Sequence, residues 1–133
     1  WGEGVGEVLT PVTLPESWYL VLVPFCEVST ADVFSDPQLT RNSQSITIAD
    51  FIEGDDRNDC RDVVRRRYPE VAKALDWLAS RGRSRLTGTG GCVFAAFDTA
   101  GEALAVQQIV PRDFSAFVAR GLNRSPLLDQ VAA

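Results

Sequence analysis

Histidine and methionine are both absent from the sequence. Without an imidazole, the chain has neither Ser-His-Asp nor Cys-His catalysis, and it also lacks the commonest zinc ligand. Long apolar runs are missing too, since the longest, residues 19–26, falls far short of the roughly 20 residues that span a bilayer. We therefore expect no membrane partner. Because position 1 is not methionine, we also expect either a processed chain or a piece of a longer protein.

Basic side chains are in the minority. Thirteen lysines and arginines stand against 18 acidic residues, for a formal net charge of −5. Because nonspecific nucleic-acid binding depends on neutralising phosphates, we expect no nucleic-acid partner. The one basic cluster, Arg61 with residues 65–67, follows several aspartates. We interpret it as a solvated helix face rather than a phosphate-binding patch.

Cysteine is scarce as well. There are three cysteines and no CxxC pair. An odd number of cysteines without a signal peptide predicts reduced thiols in a cytoplasmic protein. Cys92 begins a predicted buried strand and has no histidine to activate it, so we expect an inert thiol in the core.

The residues that are present predict one globular domain. The chain has 133 residues, of which 45% are hydrophobic. Residues 18–24 are almost wholly apolar, which indicates a central strand buried on both faces. We predict strands at 4–12, 18–24, 85–87, 92–97 and 114–120, and helices at 31–34, 48–52, 60–67, 70–80 and 100–110. Their order predicts an α+β two-layer sandwich, with four or five mostly antiparallel strands and helices on one face.

Two of these helices have a predicted buried side. In the helix at 70–80, apolar residues fall at helical spacing, namely Val71, Ala74, Leu75 and Leu78. In the helix at 100–110, the predicted face consists of Leu104, Ala105, Gln108 and Ile109. Pro69 suits the first turn of the former helix, and Gly82 is expected to terminate it.

The sharpest local signal is a glycine-rich stretch at residues 86–94. Three glycines, Gly88, Gly90 and Gly91, permit positive φ and let successive backbone N–H groups converge on an anion or pack closely under another loop. The stretch is neither a Walker A loop nor a complete dinucleotide fingerprint. A glycine-rich hairpin between two strands is the plainer interpretation.

Two other segments could carry chemistry. Residues 29–34 combine hydroxyls at a helix start with Phe34 one turn later, which could hold a small ligand; the alternative is a helix cap followed by a core phenylalanine. Asp55, Asp56 and Asp59 suggest a metal loop, but they do not match the EF-hand pattern, so capping and solvation are favoured.

Taken together and in order, several short pieces resemble a known family. These pieces are residues 4–9, 18–21, 29–30, 34, 36–37, 41–42, 58–60, 68–71, 86–94, 117–123 and 125–127. The series is similar to the C-terminal half of the 4-diphosphocytidyl-2-C-methyl-D-erythritol kinases, a family within the GHMP small-molecule kinase superfamily. The resemblance covers essentially the whole chain, and the glycine-rich stretch matches the third superfamily motif.

The resemblance implies a fold and a reaction. It implies a ferredoxin-like C-terminal domain within a two-domain enzyme, residues 1–133 being the substrate-side domain. That enzyme transfers the γ-phosphoryl group of ATP to the 2-hydroxyl of the cytidyl-methylerythritol substrate with the aid of Mg²⁺, in non-mevalonate isoprenoid synthesis. The family's catalytic lysine, its aspartate and its ATP loop belong to the N-terminal half. We therefore expect an N-terminal partner domain, no catalytic residue or bound metal in this chain, and no catalysis by it alone.

The resemblance also implies site residues. Phe34 matches the aromatic residue against which the family stacks cytosine, and Thr30 matches a hydroxyl residue that lines the substrate site. Ala31 stands where the family has proline, so the local backbone is less constrained. Gly88, Thr89 and Gly90 match the third motif, which supports the active site through close backbone approach.

Two other interpretations stay open at the level of sequence. One is another GHMP kinase, acting on homoserine or mevalonate, because the third motif is shared across the superfamily. The other is a stand-alone ferredoxin-like module that binds a ligand or regulates a partner without catalysis.

Overall fold

The computed structural model describes residues 1–131, which form a short hairpin and a larger α+β unit. The strands are β1 (Gly2–Glu3), β2 (Val8–Leu9), β3 (Trp18–Pro24), β4 (Arg85–Leu86), β5 (Val93–Phe97) and β6 (Phe114–Arg120). The helices are α1 (Thr30–Ser35), α2 (Ile48–Glu53), α3 (Cys60–Arg67), α4 (Pro69–Ala79), α5 (Ala100–Gln108) and α6 (Leu127–Val131). None of the helices within these residues has the length and apolar character needed to cross a membrane.

The larger sheet has four strands in the spatial order β4-β5-β3-β6, and every neighbouring pair is antiparallel. Leu20 of β3 lies opposite Ala95 on one side and Val118 on the other. Counting only these four strands, the first in sequence is central and the chain follows a β-α-β-β-α-β course. The predicted α+β sandwich with a ferredoxin-like layout is confirmed.

The core lies between one face of this sheet and the helices. Leu20 and Leu22 point into it from β3 and are fully buried. Helix α4 contributes the stripe predicted from its spacing, and all four of its residues are buried: Val71, Ala74, Leu75 and Leu78. Helix α3 adds Val63 and Val64. Burial of apolar side chains on this one face supplies the main driving force for folding.

The first predicted strand is wrong. Residues 4–12 do not form one strand; β1 and β2 pair instead as a small separate hairpin. Gly4 and Gly6 take φ values of 69° and 97°, which favour glycine and turn the chain. The Glu7 carboxylate accepts the Val5 N–H at 2.6 Å within the turn. Alternating residues suggested a strand because the pattern ignores the positive φ that these glycines allow.

The prediction that β3 is buried on both faces is also wrong. Leu20 and Leu22 are fully buried, whereas Tyr19, Val21 and Val23 on the opposite face are half-buried. The helices of the described chain pack on one face of the sheet only, so an apolar strand is left with one side partly open to solvent.

The predicted buried face of α5 points the wrong way. Leu104 and Ile109 are exposed, whereas Ala103 is buried and Val106 packs against the core. Thr99 and Glu102 form a capping box that fixes where the helix begins. The small Ala103 side chain lets the helix lie close to the sheet, so the larger apolar residues remain outside.

Gly82 also differs from expectation. Helix α4 ends at Ala79, and Gly82 does not have positive φ. A Cβ on Gly82 would lie 3.4 Å from the Cβ of Ala95. That distance is an ordinary van der Waals contact, so neither the packing nor the backbone conformation requires glycine here, and Gly82 does not terminate the helix in a left-handed conformation.

The arginine cluster forms ion pairs within the protein, which the solvated-face interpretation missed. The Asp36 carboxylate, at the end of α1, accepts hydrogen bonds from Arg66 at 2.8 Å and Arg67 at 2.5 Å. It also accepts the Gln38 N–H at 2.8 Å, and it is buried. The hydrogen bond from Arg67, with that of Gln38, lowers the pKa of Asp36 from 3.8 to about 2. Asp36 thus joins α1 to α3.

Replacing Asp36 with asparagine should remove part of the acid sensitivity of folding. Because its folded-state pKa is lowered, the ionised Asp36 stabilises the protein above its ordinary value of 3.8, and this contribution disappears as the pH falls towards about 2. In urea titrations over this pH range, the free energy of unfolding should fall more steeply for the parent protein than for Asp36→Asn. Asp113→Asn, at an exposed pair with Lys73, is the matched control. Identical slopes for the parent and Asp36→Asn would contradict the assignment.

Candidate substrate-side site

The glycine-rich stretch forms the turn of the β4–β5 hairpin, as the plainer interpretation predicted. Leu86 pairs with Val93, and the Thr87 N–H donates to the Cys92 carbonyl at 3.0 Å. Gly88 and Gly90 have φ values of 48° and 110°, so this turn requires glycine at both positions. The sequence 88–90 therefore lies at one end of the sheet in a fixed, backbone-rich turn.

Gly90 also allows a close approach to a helix. A Cβ at this position would lie 2.9 Å from Cγ1 of Val64, a fully buried residue of α3. The neighbour is a branched core side chain with little room to move, so any side chain here would disturb the packing. Gly90 therefore packs closely against α3.

The structure brings two of the predicted site residues together. The hydroxyl oxygens of Thr30 and Thr89 are 3.0 Å apart and share a hydrogen bond. Thr30 is the first residue of α1, and the Ser29 side chain caps the helix by accepting the Asp32 N–H at 3.2 Å. The glycine-rich turn is thereby joined directly to the beginning of α1.

Phe34 lies one turn further along α1 and is 52% exposed. The alternative that Phe34 is a core residue is therefore wrong: α1 buries Val33 instead. The Arg41 guanidinium donates to the Phe34 carbonyl and holds the end of the helix. An exposed phenyl ring beside a hydroxyl pair and a glycine-rich turn is suited to contact a flat, partly polar ligand.

Asn58 is a further residue of this site, and sequence reasoning gave its side chain no role beyond a possible cap. Its Oδ1 accepts the Cys60 N–H at 3.0 Å at the start of α3. Its Nδ2 donates to the Gly88 carbonyl at 2.8 Å. Asp59, which directly precedes α3 and is one of the aspartates that suggested a metal loop or a cap, makes no side-chain capping hydrogen bond. An asparagine just before a helix indicates a cap, but only the tertiary structure reveals the second contact.

The turn is therefore held at three successive residues by two helices. Asn58 of the α3 entrance holds Gly88, Thr30 of α1 holds Thr89, and Val64 of α3 packs on Gly90. This arrangement fixes the position of the turn relative to α1, and hence relative to Phe34. Positioning of this kind matters for reactions that depend on alignment of substrates.

Beside Asn58 is an open cleft of about 760 Å³, lined by residues that include Phe51, Arg85 and Phe94. Its charges are largely paired internally, since Asp56 binds Arg83 at 2.6 Å and Arg85 at 2.9 Å. Asp55 likewise binds Arg57 at 2.8 Å. Of the three aspartates that suggested a metal loop, Asp55 and Asp56 therefore form ion pairs, and Asp59 accepts a hydrogen bond from the Ser43 hydroxyl at 2.7 Å.

The thiols are poorly suited to act as nucleophiles. Burial raises the pKa of Cys26 and Cys60, with smaller contributions from the nearby Glu70 and Asp59 carboxylates. Cys92 is partly exposed and not a core thiol as expected, because it belongs to the turn and precedes the first residue of β5. Residues 1–131 also bring no three potential metal ligands together.

The comparison with known proteins agrees with this geometry. The sequence profile of the family described as GHMP kinases C terminal matches residues 41–116. A protein of Pseudomonas aeruginosa (strain UCBPP-PA14) named 4-diphosphocytidyl-2-C-methyl-D-erythritol kinase is 56% identical over 127 residues, which is 96% of this chain and 45% of that protein.

Similarly named proteins of two other bacteria also match. The one from Marinobacter nauticus is 49% identical over 130 residues, covering 96% of this chain and 45% of its own length. The one from Nitrosococcus oceani is 49% identical over 129 residues, covering 97% and 46%. The chain spans about half the length of the curated relatives it matches, and it aligns with their C-terminal half. From the profile match and these relatives together, the chain belongs to the GHMP kinase C-terminal family.

Proposed function

We propose that this chain is the substrate-side half of a kinase that phosphorylates the 2-hydroxyl of 4-(cytidine 5'-diphospho)-2-C-methyl-D-erythritol. The observation that carries the proposal is the 56% identity, over nearly the whole chain, to a protein named for that activity. The exposed Phe34 beside the Thr30–Thr89 pair supplies the physical support. In this proposal the complete enzyme acts in the cytoplasm, in isoprenoid synthesis.

In this proposal Phe34 stacks against the cytosine ring of the substrate. An exposed phenyl ring is free to receive a base, and stacking of a base on an aromatic side chain is worth about 1–3 kcal/mol. Phe34 is exposed on α1, and the hydrogen bond from Arg41 to its carbonyl oxygen holds the helix end that carries it. The resemblance assigns the same role to this position.

Thr30 lines the same site, and the segment 88–90 supports it from below. The Thr30 hydroxyl is bonded to Thr89, so its orientation depends on the glycine-rich turn. Ala31 leaves the N–H of that residue in place where the family has proline, and the Ser29 cap then orders the start of the helix. Gly88, Thr89 and Gly90 act through the position of the backbone rather than by capturing phosphate.

The groups that activate the hydroxyl and hold ATP would come from the preceding half of the enzyme. Mg²⁺ assists phosphoryl transfer by neutralising charge on the phosphates. Such an ion is usually held by one or two carboxylates together with the phosphates of its nucleotide, and in this proposal both belong to the preceding half. We therefore assign no step of the reaction through the metal to this chain, and we propose that residues 1–133 alone do not transfer phosphate.

Titration of the isolated chain with CMP should perturb the amide resonances of residues 30–35, and ATP should not. The reason is that only the cytidine end of the substrate has its contact residue here. Two-dimensional NMR of the labelled protein provides the measurement. In Phe34→Ala the Kd for CMP should rise by about fivefold or more, because stacking worth about 1–3 kcal/mol is removed.

Phe34→Tyr, which keeps an aromatic ring, is the matched variant and should retain CMP binding.

In the complete kinase, Phe34→Ala should raise the KM for the cytidyl substrate far more than the KM for ATP. A response to ATP that saturates, or no response to either nucleotide from the folded chain, would favour a stand-alone module instead.

In the complete kinase, Asn58→Ala should lower kcat by roughly tenfold or more while changing the substrate KM by less than about threefold. Removal of the Asn58 side-chain amide breaks its hydrogen bonds to the Gly88 carbonyl and the Cys60 N–H. The turn is then misplaced, although no contact with the substrate has been removed. Steady-state kinetics with both substrates provides the measurement.

Asn123→Ala is the matched control for this experiment. Asn123 makes an equivalent pair of side-chain hydrogen bonds, to the N–H and the carbonyl of Leu14 at 2.9 and 2.7 Å, in a different part of the structure. It should lose a similar amount of stability and keep kcat. If both variants lose kcat equally, Asn58 has only a structural role.

A further inference from the structure

The face of the four-stranded sheet opposite the helices is apolar and uncovered. Its apolar residues come from β3, β5 and β6, and they are Tyr19, Val21, Val23, Phe94, Ala96, Phe117 and Ala119. The register places two polar residues on the same face at its edges, Ser115 opposite Val23 and Arg85 opposite Phe94. None of the seven apolar residues is buried, and Phe117 is 50% exposed. We name these seven residues the open face.

The open face does not have the composition of a solvated sheet surface. An antiparallel sheet that meets water on one side normally alternates apolar inward residues with polar outward ones. Here the outward positions of the central strand are Tyr19, Val21 and Val23, so both sides of β3 are apolar. Contiguous apolar surface of this kind marks a contact site, since single exposed apolar residues are ordinary but a patch is not.

The beginning of the described chain lies near a cleft that Phe94 also lines. The ring of Trp1 is 6.2 Å from that of Phe51. Phe51 lines the same cleft as Phe94, which belongs to the open face and contacts Tyr19 ring to ring at 5.9 Å. A polypeptide that precedes Trp1 would therefore emerge near this cleft.

The open face is also continuous with the candidate site. Phe94 follows the glycine-rich turn by four residues on the same hairpin, and the Arg85 guanidinium lies 4.8 Å from the centre of its ring. A body that covers the open face would meet the turn at residues 88–90 along its border. The relatives have a further half that could form such a body, because the chain matches only 45–46% of their length and aligns with their C-terminal half.

We propose that the open face is the docking surface for the preceding, N-terminal half of the kinase, an inference that rests on the proposed function. The covering surface is expected to be largely apolar, since Arg85, the charged side chain at the edge of this face, is already paired with Asp56 at 2.9 Å. Docking there buries the second side of β3 and brings the N-terminal half against the glycine-rich turn. Docking would then explain why both sides of β3 are apolar: one side packs against the helices, and the other packs against the N-terminal half.

The test compares the isolated chain with a kinase in which this chain replaces the C-terminal half of the Pseudomonas aeruginosa relative. Hydroxyl-radical labelling followed by mass spectrometry measures the exposure of each side chain. Labelling of Phe117 should fall by about fivefold or more in the joined protein, as expected for a half-exposed ring that becomes buried. Leu104, which is 46% exposed on α5 across the helical layer, should be labelled equally in both.

Kinase activity of the joined protein separates this inference from the proposed function. Activity with the cytidyl substrate together with undiminished labelling of Phe117 would overturn the docking surface and leave the function standing. Protection of Phe117 in a joined protein that acts on another substrate would support the docking surface and overturn the proposed function. Protection that appears in the isolated chain as its concentration rises would assign the face to a second copy, and would also overturn the proposal.

A pair of variants gives a second, independent measurement. Phe117→Ser should hardly change the melting temperature of the isolated chain but should lower that of the joined protein by roughly 5–10 °C, because only there does it leave a buried cavity. Leu104→Ser should have little effect in either protein. Equal effects of Phe117→Ser in the two proteins would contradict the proposal. If the joined protein does not fold, labelling with the N-terminal half added as a separate chain answers the same question.

Discussion

The structure depends on the pairing of β3 with both β5 and β6. This first long strand occupies the centre of the sheet, so Leu20 and Leu22 sit where helices α4 and α5 must pack. Strands distant in sequence are brought together around it, and the hairpin β4–β5 is placed with its turn at one end of the sheet. The ends of α1 and α3 meet that turn as a consequence of the same packing.

Hydrogen bonds, rather than core packing, determine the position of that turn. The core determines which helices lie on the sheet, but hydrogen bonds from Asn58 and Thr30 determine where residues 88–90 stand relative to them. Asp36 has the same effect at the other end of α1, where two arginines of α3 neutralise its carboxylate. Helix α1, which carries the exposed Phe34, is thus fixed at both ends. A half-exposed ring on a helix fixed at both ends provides a pre-ordered surface for a ligand, at little cost in conformational entropy on binding.

The chain combines a folded core with an apolar sheet face that none of the described helices covers. Helices cover one face of the sheet, and the other face keeps an apolar composition that folding of residues 1–131 does not use. The candidate site lies on the border of that face. Geometry of this kind suits a half-site, in which one body supplies recognition and positioning and another supplies the reacting groups.

Sequence alone determined the periodic features of this protein. The stripe on α4, the strands β3, β5 and β6, the hairpin at the glycine-rich turn and the cap at Ser29 follow from local spacing and local hydrogen bonding, and the ordered motifs indicated the family. Tertiary structure decided the rest. Which side of α5 is buried depends on the closeness that Ala103 allows, and the exposure of Phe34 depends on Val33 filling the core in its place. The contacts of Asn58 with Gly88 and of Gly90 with Val64 join residues about 26–30 positions apart. No local pattern encodes such contacts, because they arise only when separate elements pack against one another.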